Sequence, residues 1–469
     1  KKLLSNKLFS LIFSIAASFV IVKILINLLN PPFGWDSLNY HFTFPVEWLK
    51  HGNLTVPIVI FDDPSPAYYP LNGSLFYLWL ILPFKSVFLA DLGQFPFFVI
   101  AVLSVYGISR KIGLSRAYAF YSAALFTLIP NFFKQLQIAY VDVMVGCLFL
   151  VAVNFLLLLK DKFNLAGTLI YGLSLGLLIG TKTTALPFSV LLIIPFLVIL
   201  AKNYKRAGLG VVVILCIIVL GGFSYIRNFI ETGNPLYPLD FNLFNLHIFK
   251  GVMDKTVYSS HFTGSDYSFS KMMFHEGLGA QSLLLILPGI FLALPLAFFR
   301  RRKELNFTRF YLLILPILMY LVYRFIIPLG NLRYLYALMG LGAILGFYAV
   351  DILKINKLAV SSLVLLCALV SISELAKRQE LVSSIILSAA LFIGLINFKR
   401  IKMQGGRITV LILFVLLTFG FLLRAEVFYK TNEFSRYYKM VKYSGFWPDA
   451  ARAWDWLNRN TSGNNIAYT

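Results

Sequence analysis

Two aspartates lie where long apolar stretches of the sequence meet polar segments. Asp36 follows the first apolar run, and Asp142 directly precedes a later one. Ionisable residues at membrane depth are costly and mark functional sites by default. Two carboxylates at one level of a helix bundle could take a proton from an acceptor, hold a divalent cation, or do both. Asp is also a good helix N-cap, so capping is the competing interpretation for each residue.

Three basic residues lie at junctions that otherwise contain almost no positive charge on the same side of the predicted bundle. They are Lys182, Arg227 and Arg333. A phosphate at the level of the lipid headgroups would suit such cations. Taken singly, each could instead snorkel to the headgroups. Because three occur together, the pattern favours an anion site.

Other polar residues of the first loop are weaker candidates. His41 lies close to Asp36 in sequence and either shares its site or is an interfacial side chain. We predict that His41 and the adjacent Tyr40 contact the substrate. Asp62 and Asp63 precede a proline, which favours a solvated turn over a metal or sugar contact.

The composition indicates that lipid surrounds most of the chain. Of the 469 residues, 59% are hydrophobic and only 13% are charged, against roughly 25% charged in soluble domains. The net charge of +22 does not indicate a nucleic-acid partner, because the basic residues form short clusters between apolar runs. That pattern is typical of cytoplasmic loops, and membrane lipids are the predicted surroundings.

The predicted fold is an all-α integral membrane bundle of about thirteen spans, each needing about 20 mostly apolar residues. The spans lie near 8–29, 87–108, 117–130, 143–159, 163–180, 184–200, 208–226, 281–299, 309–328, 334–352, 358–375, 381–398 and 408–424. The apolar run 71–83 is too short to span and ends in proline, so we predict an interfacial or re-entrant helix there.

The distribution of charge predicts the orientation. With the N-terminus in the cytoplasm, the inner segments contain half of the 42 basic residues and only three of the 20 acids. Positive charge concentrates on the cytoplasmic side of membrane proteins. The active site and the C-terminal tail are therefore expected outside or in the periplasm, in a plasma or inner membrane.

The predicted organisation is one multi-pass domain, 1–424, with two long outer loops, 30–86 and 227–280. The segment 425–469 forms an outer tail, which we interpret as the start of a truncated soluble domain. The chain begins with Lys1 and not with Met, so truncation is expected at both ends.

Several common site motifs can be set aside. The segment 176–183 lacks the spacing of a phosphate-binding loop, and Gly172, Gly176 and Gly180 instead repeat every four residues. That repeat predicts a face where two helices pack closely. The three cysteines lie within apolar runs and show no CxxC pattern, so we infer neither a disulfide nor a metal site.

Short motifs in a fixed order give the sequence a family resemblance. They are Trp35-Asp36-Ser37-Leu38-Asn39-Tyr40-His41, Tyr69-Pro70-Leu71-Asn72-Gly73-Ser74, Tyr140-Val141-Asp142, Gly180-Thr181-Lys182, Arg227 to Pro238, and Arg333-Tyr334-Leu335. In these motifs and in its layout the chain resembles the GT-C superfamily of membrane glycosyltransferases. The similarity is to the family 39-like group, which includes protein O-mannosyltransferases and the bacterial aminoarabinose transferase.

The resemblance implies a polyprenyl- or dolichyl-phosphate sugar as donor and transfer on the non-cytoplasmic face to a lipid, glycan or protein acceptor. It assigns Asp36 as general base in an inverting displacement and Asp142 as the second acid. Lys182, Arg227 and Arg333 would hold the phosphate. Relatives often place Arg and Pro before the second Asp, and no acidic pair accompanies Asp36 here. The need for a divalent cation therefore stays open.

Two other classes of membrane protein fit part of the pattern. A transporter or flippase of lipid-linked glycans would also combine many spans with a phosphate site, and a polysaccharide polymerase or ligase is a nearer relative in chemistry. Transporters commonly show internal repeats. The sequence shows no convincing repeat and places its candidate residues at one interface, which favours a one-sided enzyme.

Overall fold

The computed structural model describes residues 7–29, 34–57, 65–83, 85, 87, 90–243, 246–253, 277–327, 330–375, 378–397, 456, 459 and 460. Within them the chain is helical apart from connecting segments, a two-stranded hairpin and an isolated bridge. Asp62 and Asp63, the predicted span 408–424 and nearly all of the tail lie outside these ranges, as do residues 244–245 and 254–276 of the predicted second outer loop.

The first part of the chain supplies eight helices. A single π-helical turn, Ser37–His41, follows the first of them and carries the motif around Asp36. The helices are α1 (Lys7–Leu29), α2 (Thr43–His51), α3 (Ser65–Tyr68), α4 (Asn72–Ile81), α5 (Gln94–Ile112), α6 (Arg116–Thr127), α7 (Pro130–Lys134) and α8 (Asp142–Asp161).

The second part continues the bundle. Its helices are α9 (Leu165–Ile179), α10 (Ala185–Lys202), α11 (Leu209–Cys216), α12 (Phe223–Thr232), α13 (Leu287–Arg300), α14 (Phe307–Phe325), α15 (Tyr336–Leu353), α16 (Lys357–Leu375) and α17 (Arg378–Asn397). Strands β1 (Phe241–Leu243) and β2 (Leu246–Phe249) pair antiparallel between α12 and α13.

Two helices form the centre of the bundle. In the apolar segment that includes α15, 94% of the residues in the most hydrophobic window are buried, and in α8 the share is 78%. The other candidate spans are buried over half of that window or less, because one side of each is left for lipid. Asp142 begins α8, and Arg333 lies in the 3-10 turn Leu332–Leu335 that leads into α15. The two central helices therefore begin beside each other.

The structure does not confirm thirteen spans. Among the described residues eight helices are long and apolar enough to cross a membrane, and a bent pair raises the number to nine. The predicted spans 117–130 and 163–180 correspond to α6 and α9, which have 12 and 15 residues. The predicted span 208–226 is broken, because α11 and its π-helical extension meet α12 at 59°.

Two sequence expectations about local structure are confirmed. The run 71–83 forms α4, a helix of ten residues that is too short to span. The glycine repeat of α9 packs against α11: a Cβ added at Gly176 would lie 2.3 Å from the carbonyl oxygen of Cys216. A Cβ added at Gly180 would lie 2.3 Å from the side-chain nitrogen of Asn72, which donates to the carbonyl of Leu220 at 2.7 Å.

Candidate functional site

Arg333 lies between the two aspartates that the sequence singles out. Its Nη1 donates to Asp36 Oδ2 at 2.8 Å, and its Nε lies 3.6 Å from Asp142 Oδ2. Asp36 is at the N-cap position of the π-helical turn, but its side chain forms no capping hydrogen bond, and Asp142 is the first residue of α8, after the N-cap Val141. The capping interpretation is therefore wrong for both, and the structure brings the two carboxylates to one place around a shared guanidinium.

Lys182 completes this group of charges. Its Nζ donates to Asp142 Oδ1 at 2.7 Å, and the Asp142 side chain is only 1% exposed. Asp36 is more accessible, with 13% of its side chain exposed. We call Asp36, Asp142, Lys182 and Arg333 the ion cluster. Its formal charges cancel, since it holds two carboxylates and two cations.

Each of the two cations of the ion cluster lies over the face of an aromatic ring. The guanidinium carbon of Arg333 lies 5.0 Å from the centre of the Tyr140 ring, and Lys182 Nζ lies 4.6 Å from that of Tyr334. A cation over the face of an aromatic ring is stabilised by the ring quadrupole. The cations are therefore fixed within the protein, which argues against snorkelling for Lys182 and Arg333.

A hydrogen-bonded segment, residues 135–141, positions Asp142. The side chain of Gln94, at the start of α5, donates to the carbonyls of Gln135 and Ile138, both at 2.9 Å, and accepts from the N–H of Val143 at 3.0 Å. Asn27 of α1 donates to the carbonyl of Leu136 at 2.7 Å. Because buried backbone groups need partners, these two side chains fix the segment that delivers Asp142.

The same segment also positions Asp36. The N–H of Ala139 donates to Ser37 Oγ at 3.0 Å, and the N–H of Asp36 donates to the Tyr140 hydroxyl at 3.4 Å. The Tyr77 hydroxyl of α4 donates to the carbonyl of Tyr140. Sequence reasoning missed Gln94, Asn27 and Tyr77 as positioning residues. Gln94 and Asn27 carried one signal, because each is a lone amide within an apolar run.

His41 and Tyr40 lie beside the ion cluster. His41 Nδ1 is 3.1 Å from Ser74 Oγ, and the imidazole packs against the rings of Tyr40 and Tyr77. Both predicted contacts are buried, with 5% of His41 exposed and 9% of Tyr40. Burial, followed by the positive charge of Lys182, lowers the pKa of His41 to about 3. The imidazole is therefore neutral, and His41 is not an exposed interfacial side chain.

Arg227 makes different contacts. Its Nη2 donates to the carbonyl of Ala67 at 3.0 Å, and the neighbouring Asn228 donates to the carbonyl of Tyr68 at 2.9 Å. These carbonyls belong to the last residues of α3, where helix carbonyls lack helical partners. In this arrangement Arg227 joins α12 to α3. Among the described residues, its hydrogen-bond partners and charged neighbours lie outside the ion cluster.

Two small cavities adjoin the ion cluster. One, of about 10 Å³, extends from Asp142 and Arg333 between apolar side chains of α8, α10 and α14. The other, of about 20 Å³, is lined by His41, Ser74 and Lys182 among others. A cavity of 10–15 Å³ holds about one water. Each of these two cavities is therefore much smaller than a sugar ring, whereas the Asp36 side chain keeps 13% of its surface exposed.

The arrangement does not suit a divalent cation. Asp36 and Asp142, the two suggested ligands, are each bonded to a side-chain cation. Across the residues that the structure describes, His, Cys, Asp and Glu side chains nowhere form a group of three that could hold a metal ion.

Two basic residues outside the ion cluster bind side chains in the C-terminal parts of α8 and α15. Lys111 donates to the Asn154 side chain of α8 at 2.5 Å, and Arg301 donates to the Asp351 carboxylate of α15 at 2.9 Å. Asn154 and Asp351 lie towards the C-terminal ends of their helices. The ion cluster lies at the N-terminal ends of α8 and α15, and these contacts lie towards their C-terminal ends.

Comparisons with known proteins find partial matches among solved structures and none among sequences. No protein-family model matches the chain, and no curated protein sequence matches it. The apo structure of ArnT from Cupriavidus metallidurans is 12% identical to this chain, with a TM-score of 0.49. The match covers 87% of this chain and 75% of ArnT. The same protein bound to undecaprenyl phosphate is 13% identical, with a TM-score of 0.48 and coverage of 88% and 76%.

A third solved structure comes from an archaeon. The oligosaccharyltransferase AglB from Archaeoglobus fulgidus, in complex with an inhibitory peptide and a dolichol-phosphate, is 15% identical, with a TM-score of 0.45. The match covers 81% of this chain and 56% of AglB.

Proposed function

We propose that the protein is a glycosyltransferase that moves a hexose or pentose from a polyprenyl-phosphate carrier to an acceptor on the non-cytoplasmic side of the membrane. The single observation that supports this most is the ion cluster. It places an accessible carboxylate next to two fixed cations at one end of the bundle, as the chemistry of such a transfer requires.

Lys182 and Arg333 would bind the carrier phosphate. Each bears N–H groups that suit phosphate oxygens, and aromatic rings hold both in place. The site also lies at the N-terminal ends of α8 and α15. Helix N-termini carry partial positive charge and free N–H groups, which favour a bound anion.

Binding of the phosphate would change the pairing within the ion cluster. Because the cluster is formally neutral, a bound sugar phosphodiester adds one negative charge, and three anions then share two cations. Arg333 can turn its Nη1 from Asp36 to the phosphate while its Nε stays near Asp142. Arrival of the donor would in this way free the Asp36 carboxylate.

The freed Asp36 would act as general base. It takes the proton of the acceptor hydroxyl or amine as that oxygen or nitrogen bonds to the anomeric carbon, and the bond from that carbon to the phosphate oxygen breaks. The carrier phosphate leaves with the electron pair, stabilised by Lys182 and Arg333. One displacement inverts the anomeric configuration. Asp142 is too buried to meet an acceptor and would orient the two cations.

The sidedness of the reaction follows from the charge pattern. The ion cluster lies at the end of α8 and α15 that is remote from the basic contacts of Lys111 and Arg301. Since basic residues mark the cytoplasmic side, transfer would take place outside or in the periplasm. Arg227 would contribute by holding α3 beside the site.

The direct test is an assay for transfer with the purified protein in liposomes. Undecaprenyl phosphate carrying glucose, mannose, galactose or arabinose is supplied with candidate lipid, glycan and peptide acceptors, and mass spectrometry follows both substrates. The proposal expects free undecaprenyl phosphate and a glycosylated acceptor in equal amounts. If labelled donor moves between the leaflets and no acceptor is glycosylated, the protein is a flippase and the proposal is wrong.

A further inference from the structure

His41 has one ring nitrogen that the fold leaves without a partner. Nδ1 contacts Ser74 Oγ at 3.1 Å, whereas Nε2 is buried and forms no hydrogen bond with any residue that the structure describes. A buried polar atom without a partner usually costs 1–3 kcal/mol. Such atoms are rare in folded proteins and call for an explanation.

The same residue lines the 20 Å³ cavity beside the ion cluster. Its polar lining consists of Tyr40, His41, Tyr69, Ser74, Thr181 and Lys182. The Thr181 hydroxyl already donates to the carbonyl of Leu177 at 2.6 Å, and Lys182 bonds to Asp142. The space admits one water-sized group. It is too small for a whole sugar ring and large enough for one of its hydroxyl groups.

The chemistry of the cavity favours a neutral group. Burial and the nearby charge of Lys182 keep His41 uncharged, since its pKa falls to about 3. A neutral imidazole has one nitrogen that donates and one that accepts. Because the Ser74 hydroxyl can serve in either role, Nε2 can be donor or acceptor. A substrate hydroxyl fits both cases, whereas a protonated amine would meet the positive charge of Lys182.

We propose that this cavity is a subsite for one hydroxyl group of the transferred sugar, which hydrogen-bonds to His41 Nε2. His41 is then a specificity-determining residue, and the favoured substrates are neutral, hydroxylated sugars over amino sugars. This inference rests on the proposed function and adds to it the class of sugar. Ser74 is a positioning residue that orients the imidazole.

The test measures donor binding with chemically defined probes. Affinities of the purified protein are determined for undecaprenyl phosphate, for its glucose and mannose conjugates, and for versions of each conjugate lacking one hydroxyl at positions 2, 3, 4 or 6. We expect wild-type protein to bind one deoxy version about tenfold more weakly than its parent. The other positions should matter less, and undecaprenyl phosphate-aminoarabinose should bind weakly.

Two variants separate specificity from folding. In His41→Ala the parent and the critical deoxy probe should bind equally well, because the partner of that hydroxyl is gone. His41→Gln, whose amide can replace Nε2, should restore part of the discrimination. The unfolding temperature of each variant in detergent shows whether it is folded. If His41→Ala proves unfolded, Ser74→Ala supplies the same comparison, with a smaller loss of discrimination expected.

The outcomes are distinct. Suppose that wild-type protein binds the conjugates but does not distinguish parent from deoxy probes, or distinguishes them no better than His41→Ala does. The cavity then holds a structural water only, and the subsite is wrong. If wild-type protein binds neither undecaprenyl phosphate nor any conjugate, the proposed function fails and the subsite fails with it.

Discussion

The guanidinium of Arg333 lies 2.8 Å from the carboxylate of Asp36, although 297 positions of sequence separate the two residues. This contact joins the segment after α1 to the start of α15, the most buried of the candidate spans in the described part of the chain. The same guanidinium reaches Asp142. One side chain therefore holds both candidate acids in a common site, and the proposed chemistry depends on that arrangement.

Replacement of Arg333 should affect folding and transfer differently. Arg333→Gln leaves two carboxylates with one cation, and the free energy of unfolding should fall by about 3 kcal/mol, at the low end of the cost of breaking a buried ion pair. Arg333→Lys keeps the charge, but one ammonium cannot replace a fork that serves two partners. Its transfer rate should fall more than tenfold with a smaller loss of stability. Equal stability of all three proteins would contradict the bridging role.

Lys182 and Arg227 should differ in their contribution to donor binding. Lys182→Gln removes a cation from the ion cluster and should weaken binding of undecaprenyl phosphate by about tenfold or more, since hydrogen bonds to charged groups are worth roughly 1.5–3 kcal/mol. Arg227→Gln should mainly loosen α3 and change this affinity less. Lys50→Gln is the control. Lys50 is an exposed lysine whose ion pair is with Glu47, a residue outside the ion cluster. The reverse order would place the phosphate at Arg227.

Gln94 should be needed although it touches no charged residue of the cluster. Gln94→Leu removes the partners of two carbonyls and one N–H in the segment that delivers Asp142. We expect a loss of about 1–3 kcal/mol in stability and a slower maximal rate with little change in donor affinity. The unfolding temperature and the rate at saturating donor measure the two effects. A variant with unchanged rate would show that Asp142 does not depend on this support.

The buried His41 predicts a pH dependence of stability. Its pKa is about 3 in the folded protein against 6.5 for an exposed imidazole, because burial and then Lys182 disfavour its charged form. As the pH falls from 7 towards 3, the unfolded chain takes up a proton that the folded protein cannot bind. The stability that neutral His41 gives is therefore present above pH 6.5 and is lost progressively below it.

His41→Gln isolates this contribution from those of the nearby charges of Asp142, Lys182 and Arg333. The unfolding temperature of wild-type protein should fall more steeply than that of the variant between pH 7 and pH 5. Parallel curves would show that His41 titrates equally in both states and is not buried as described.

The sequence was sufficient to identify the candidate acids and two of their partners. Asp36, Asp142, Lys182 and Arg333 stand out because charges beside apolar runs are rare and costly. The glycine repeat of α9 and the short α4 were also predictable, since each follows from a local pattern. Arg227 has the same sequence pattern as Lys182 and Arg333, a basic residue at the end of an apolar run. In the structure it instead binds a carbonyl at the end of α3.

Other features depend on three-dimensional packing and carry weak sequence signals. Hydropathy cannot separate the 15 residues of α9 from a full span, nor detect the 59° bend before α12, because both segments are simply apolar. The roles of Gln94 and Asn27 arise from contacts with a segment more than 40 positions away. Only the folded chain shows which backbone groups they satisfy.

The most direct test of the proposed chemistry is the single-turnover rate of Asp36→Asn with bound undecaprenyl-phosphate sugar and a working acceptor. The substitution keeps the shape of the side chain and removes the base. The rate should fall by about 10²–10⁴-fold while donor affinity stays within a few fold. Glu47→Gln, at an exposed acid of the same outer loop, should react like wild type. Transfer by Asp36→Asn at the wild-type rate would contradict the assignment of the ion cluster as the site of sugar transfer.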